Sequence, residues 1–216
     1  MMNVLKTRPV AEKIWPKGFP LRDRKNFDSD YVPTNSSVET LGIRVTFQKN
    51  CPDLDALGRL SEMSFKFEEK NPLVLKEKQF SPFGLKSALW NEKLFPAIFL
   101  PVSKMTVADI WRSYIAEKLA HIYNIAIIFE PPMVKGTCLN LTKNDYFEEW
   151  SLFSEMNILV EILSKIKSQK SSMLSTLYEI YKELYDANLV SYDDLIIFSV
   201  WQEHFDGILT NKLLSP

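Results

Sequence analysis

Apolar positions recur along this chain with different periods, and each period predicts an element. Leu41–Phe47 alternates Leu, Ile, Val and Phe with Gly42, Arg44 and Thr46, the two-residue period of a half-buried strand. Leu73–Leu75 and Ala88–Trp90 are short apolar runs that predict two more strands, the second of them buried. Ile125–Phe129 is a continuous apolar run closed by Pro131-Pro132, the pattern of a strand covered on both faces in an α/β sheet. The clearest helix is Thr106–Ile122, where Val107, Ile110, Trp111, Tyr114, Ile115, Leu119 and Ile122 keep a 3.6-residue period on one face. A shorter helix is expected from Asp53, with Leu54, Leu57, Gly58, Leu60 and Ser61 on its face. Beyond Asn144 the character changes. Phe147–Ile166, Leu174–Leu184 and Tyr192–Phe205 each carry helical spacing, separated by Ser168–Ser172 and Ala187–Ser191. The expectation is an α/β domain over residues 1–143 followed by an all-helical extension of three helices over residues 144–216.

Composition narrows the function classes. With 46% hydrophobic and 25% charged residues, the chain of 216 residues has the content of a globular protein. It holds only 6 glycines and neither a GxGxxG nor a GxxxxGK[ST] pattern, which argues against a complete dinucleotide-binding or P-loop domain. A formal net charge of -1 argues against a nucleic-acid partner. Two cysteines, Cys51 and Cys138, and two histidines, His121 and His204, make a Cys/His metal cluster improbable. The longest apolar stretches, near Phe95–Val102 and Ile122–Phe129, are too short for a membrane span, and no signal peptide is visible. The two sequons, at Asn35 and Asn140, stand against about one expected by chance and weigh little.

Four groups of residues can carry chemistry. Asp109, three residues before Arg112, is a carboxylate at a helix start that can act as a general base or hold a substrate hydroxyl, with Arg112 orienting it. Thr106 and Asp109 also spell a T-x-x-D cap, and the two roles are compatible. Asp53 and Asp55 form a D-x-D pair able to present oxygen ligands to Mg²⁺ or Mn²⁺, or simply to complement a helix dipole. The loop Trp15–Leu21 can line a pocket with Lys17 meeting phosphate, or pack its aromatics on the sheet. Tyr192-Asp193-Asp194 reads as a helix cap, and His121 as a cation suited to a helix C-terminus.

Three blocks taken together resemble one family. They are W-P-K-G-F-P-L at Trp15–Leu21; C-P-D-L-D-A-L-G-R-L at Cys51–Leu60; and a third running from Phe80-Ser81-Pro82-Phe83 through Leu94–Val102 and A-D-I-W-R-S-Y at Ala108–Tyr114 to Ile128–Pro132. Over about residues 10 to 150 the chain resembles the DUF288 or STELLO-type glycosyltransferases, and more distantly the reversibly glycosylated polypeptides, the UDP-arabinopyranose mutases. That resemblance implies a partial GT-A-like (nucleotide-diphospho-sugar transferase) fold and use of a UDP-sugar with Mn²⁺ or Mg²⁺. It also implies a glycan acceptor and a Golgi setting. It places Asp109 and Arg112 at the catalytic centre. Trp15, Lys17, Gly18 and Trp111 would bind substrate, and Asp53 and Asp55 would hold the metal. The chain also departs from the pattern. It begins almost at the tryptophan-proline loop, without the nucleotide-binding half that precedes it in the family. Gly84-Leu85-Lys86-Ser87-Ala88 stands where the family has a polar amide-rich stretch, and the usual membrane anchor is missing. A catalytically incomplete pseudoenzyme, a remnant that associates with a full-length relative, is therefore the alternative to an active transferase. A sheet lacking its first half would show a bare edge.

Overall fold

The computed structural model describes residues 15–24, 41–49, 53–60, 72–75, 78–84, 88–136, 142–167 and 172–214. Cys51, Cys138, Ser61, Asn35, Asn140 and the Leu85–Ser87 segment lie outside them. The described residues form a mixed α/β structure around a four-stranded sheet in the order β2-β4-β1-β3. The strands are β1 (Leu41–Gln48), β2 (Leu73–Val74), β3 (Ala88–Trp90) and β4 (Ala126–Val134). β1 and β4 pair in parallel at the centre; β3 joins β1 and β2 joins β4 in antiparallel fashion. A parallel pair needs a crossover, and α2 (Ala108–Ile122) lies on the path between β1 and β4. The long strands lie at the centre; among the described residues β2 pairs with β4 at Ile128 and Phe129 alone, and β3 with β1 at Ile43, Arg44 and Val45 alone.

β4 runs through Pro131 and Pro132 instead of stopping before them. The prolines fall where the register with β1 shifts between Thr46 and Gln48, so the missing N–H groups are not demanded by the ladder. Thr46 bridges the irregularity, its hydroxyl donating to Pro131 O at 2.8 Å and accepting from Met133 N at 3.1 Å. The strand is also not buried on both faces. Ile127 and Phe129 turn inward with Ile43 and Val45, whereas the other face carries the Arg44–Glu130 ion pair. β3 corrects its expectation as well: Leu89 is 70% exposed, so this is an edge strand with an open face.

α2 departs furthest from its sequence pattern. It was expected to be amphipathic, yet it is buried nearly all round, with Arg112, Ser113, Glu117 and Lys118 as inaccessible as its apolar residues. The reason is its position. One side meets β4 and the other meets the C-terminal helices α5 (Met156–Lys165) and α6 (Met173–Asp186). A single hydrophobic core therefore runs from Ile43 and Phe129 through Trp111 and Leu119 to Leu159, Leu177 and Phe198, across the 143/144 boundary.

The C-terminal part holds five helices among the described residues. The first expected helix is broken at Glu149 and Glu155 into α3 (Lys143–Glu148), α4 (Trp150–Ser154) and α5, with the third, α7, running Tyr192–Leu214. α7 starts with a full capping box. Asp194 N donates to Ser191 Oγ at 3.3 Å, and Asp194 Oδ2 accepts from Ser191 N at 2.8 Å.

Candidate functional site

The aspartates of the D-x-D pair serve different partners. The short helix α1 (Ala56–Leu60) begins later than expected because Asp55 caps it: Asp55 Oδ1 accepts from Gly58 N at 2.8 Å. Its other oxygen pairs with the Arg24 guanidinium, and the residue is 1% exposed. Asp55 is therefore a buried structural carboxylate rather than a metal ligand. Asp53 turns the other way, towards Gly84. A Cβ added at Gly84 would clash with Asp53 Oδ2 and stand 3.2 Å from Asp109 Oδ2. Two carboxylates from separate sequence blocks thus converge over one glycine, the pairing that D-x-D spacing alone does not suggest.

Asp109 sits in the first turn of α2, but the T-x-x-D cap is not formed. The helix N-cap is Val107, without a side-chain cap. Thr106 Oγ1 instead donates to Glu148 O at 2.9 Å, tying the helix start to α3. Asp109 Oδ1 accepts from Ile110 N at 2.9 Å, which orients the carboxylate. The facing loop is fixed from the same helix: Ser81 N donates to Glu117 Oε2 at 3.1 Å and Phe83 N to Ser113 Oγ at 3.2 Å. Burial pushes the Glu117 carboxyl well above the usual range, only partly opposed by the Ser81 hydrogen bond.

These segments line a shallow cleft, open to solvent, with about 30 Å³ of enclosed space. Pro16 and Lys17 form one wall, Val45–Gln48 of β1 another, and Pro82–Gly84 with Asp53 and Ile110 the remainder. The tryptophan-proline loop is anchored at this site by backbone geometry. Lys17 N donates to Asp53 O at 2.9 Å, and Tyr114 Oη donates to Gly18 O at 2.8 Å. Gly18 has φ 79°, the left-handed region, and a Cβ there would clash with Ile110. Glycine is needed at this position so that the loop can rest on α2.

The other candidate residues divide between structure and site. Lys17 lines the cleft, but its Nζ pairs with Glu149 at 3.1 Å. Trp15 packs on Phe19, with ring centroids 5.4 Å apart. Trp111 is fully buried under Lys104 Nζ, 4.5 Å from its ring, and does not reach the cleft. Arg112 is 2% exposed and stacks on Trp90 at 4.8 Å, with Nε and Nη2 lacking a hydrogen-bond acceptor. Burial lowers the Arg112 pKa, and the nearby Asp109 charge opposes the shift. Trp90 in turn packs on Phe83, so Arg112 lies behind the cleft wall. Its expected role as an orienting partner of Asp109 survives only as an electrostatic one.

His121 is not a charged helix terminator. Burial, reinforced by Lys118, brings its pKa down to about 4, and its ring packs edge-on against Phe80 at 5.4 Å. Asp194, read from sequence as a cap, does cap α7 and also accepts from Ser103 N at 3.2 Å.

Among the described residues no group of three or more His, Cys, Asp and Glu side chains could hold a metal by itself. Asp53 offers one hard oxygen donor to Mg²⁺ or Mn²⁺, whose shell substrate phosphates and water would have to complete. No helix of the described residues is long and apolar enough to cross a membrane. No model of a known protein family matches the chain, and a search of curated proteins finds no match either.

Proposed function

We infer that the cleft binds a nucleotide sugar and that the chain descends from GT-A-like glycosyltransferases. One observation carries this reading. Blocks that bear the resemblance but lie far apart in sequence, Trp15–Leu21, Asp53–Asp55, Phe80–Phe83 and Ala108–Tyr114, contribute Lys17, Asp53, Phe83 and Ile110 to one cleft, with Asp109 at its Gly84 edge. Within that site Asp53 is the residue to meet a divalent cation on a diphosphate. Asp109, oriented by Ile110 N, is placed to take the proton of an attacking hydroxyl. The cation, when bound, supplies charge neutralisation of the leaving diphosphate. Trp111, Arg112 and Gly18 act by holding the helix and loop in place. A Golgi setting, and association with a full-length relative where the chain lacks activity of its own, follow from the same reading.

Titrating UDP with Mn²⁺ by calorimetry tests it; no heat at millimolar ligand sinks it. Asp109→Asn keeps the size and shape of the side chain and should leave melting nearly unchanged, while transferase activity falls by a factor on the order of 10² or more. If Asp109→Asn retains wild-type turnover, Asp109 is not the base. UDP binding without turnover would favour the pseudoenzyme, for which the ion pairing of Lys17 and Asp55 is the structural argument.

A further inference from the structure

Glu149 is a buried carboxylate behind the cleft. It stands at the α3–α4 junction, its side chain 6% exposed, and both of its oxygens are engaged. Oε2 accepts from Ala56 N at 2.6 Å, which fixes the start of α1 three residues after Asp53. Oε1 meets two cations, Lys17 Nζ and Arg59 Nη2, each at 3.1 Å. The same Lys17 lines the cleft beside Asp53, and its backbone N–H donates to Asp53 O at 2.9 Å. One ammonium is thus placed between a buried carboxylate and the cleft wall that carries Asp53.

We propose that Lys17 is the diphosphate ligand of the cleft and that Glu149 is its counter-ion at rest, holding the ammonium until a phosphate takes it; this rests on the nucleotide-sugar reading and names the group its phosphates meet. Three observations favour an exchangeable contact over a permanent one. Glu149 keeps Arg59 and Ala56 N when Lys17 leaves, so opening the pair strands no buried charge. Arg59 also has a donor to spare. It reaches Glu149 through Nη2 while its buried Nε has no acceptor, and these two nitrogens form the guanidinium edge that grips a carboxylate by two hydrogen bonds. Finally, the Lys17 side chain is 17% exposed, so the ammonium is the half of the pair that a ligand reaches first. A compact ammonium on a flexible stem can change partners without moving its loop, whose backbone is held at Lys17 N and Gly18 O. Exchange removes Lys17 from the argument for a pseudoenzyme.

The test titrates the full chain with UDP in Mn²⁺ and, separately, with pyrophosphate in Mg²⁺. Calorimetry reads the wild type, Lys17→Met, Glu149→Gln and the double variant. Both probes should bind the wild type. Lys17→Met should weaken each by about tenfold or more. Glu149→Gln keeps a carbonyl acceptor for Ala56 N but removes the competing charge, so it should tighten both by about threefold. A carboxylate that only holds the fold would weaken them instead. In the double variant the gain should vanish, since it acts through Lys17. Unchanged or weaker binding in a Glu149→Gln variant that melts cooperatively overturns the proposal, as does a gain that persists without Lys17. Where Glu149→Gln does not melt cooperatively, Lys17→Met decides alone. UDP binding that ignores Lys17→Met sinks the proposal and leaves the nucleotide-sugar reading standing. Lys17-dependent pyrophosphate binding without a UDP heat supports the proposal and sinks that reading; no heat from either probe sinks both.

Discussion

At the scale of single residues, the informative positions are those where a side chain has no room or no water. Gly84 is the sharpest. Any Cβ there forces the Asp53 carboxylate aside, because the clash is with the end of that side chain. Gly84→Ala should therefore cost no more than about 1 kcal/mol in stability, since that end can swing aside, yet reduce the UDP–Mn²⁺ heat at least tenfold. An unchanged heat would show that Asp53 does not hold the cation. His121 makes a different prediction. Its folded pKa, about 4, lies below the ordinary 6.5, so the neutral ring contributes stability that is complete above pH 6.5 and lost as pH falls towards 4. His121→Leu should remove that slope. Relative to the variant, the wild type should lose up to about 3 kcal/mol across the window, read by urea melts at a series of pH values. Glu117 acts in the opposite sense, since its raised carboxyl pKa favours the fold as pH falls through that raised value. This is why the comparison must be made against a His121 variant and not by pH alone.

At the scale of elements, two helices begin by different means. α2 has no side-chain cap and is held at its N-terminus by tertiary contacts, chiefly Thr106 with Glu148 and the packing of Ile110 under Gly18. α7 is capped locally by Ser191 and Asp194, and Asp194 also fixes Ser103 through its hydroxyl at 2.5 Å. Burial raises the Asp194 carboxyl, but the hydrogen bonds from Ser103 and Ser191 outweigh it and leave the pKa below the usual value. Its contribution is therefore present above about pH 4 and lost below it. Asp194→Ala should cost about 2–4 kcal/mol at pH 7, combining a lost cap with unsatisfied donors, in a chemical melt. A cost below 1 kcal/mol would mean that the α7 start is held by Phe198 and Leu195 alone.

At the scale of the whole molecule, α2 joins the sheet to the helices. Trp111, Tyr114, Ile115 and Leu119 are essentially inaccessible, and the core continues without interruption into Leu159, Leu177 and Ile180. Cutting at 143 would open one side of this helix and expose apolar surface on both fragments, at about 25 cal/mol per Å². Residues 1–143 expressed alone should show no cooperative thermal transition. A sharp transition with wild-type near-UV dichroism would establish instead that 1–143 is an independent domain.

Alternation and helical periodicity alone placed β1, the edge runs at Leu73 and Ala88, α2, α6 and α7, because each buries a face by a local rule that neighbours in sequence obey. The cap at Asp194 was legible for the same reason: Ser191 and Asp194 are three residues apart. What periodicity could not show was anything that depends on a distant segment. The passage of β4 through Pro131-Pro132 rests on the β1 register. The polar residues of α2 read as a solvated face because the helices that cover them lie more than thirty residues away. The sequence singled out Asp53, Asp55 and Asp109 as acids. Only the tertiary structure turned Asp55 into a buried cap held by Arg24 and brought Asp53 to Asp109 across Gly84, since carboxylates separated by more than fifty residues meet only where the loop and helix that carry them are packed together.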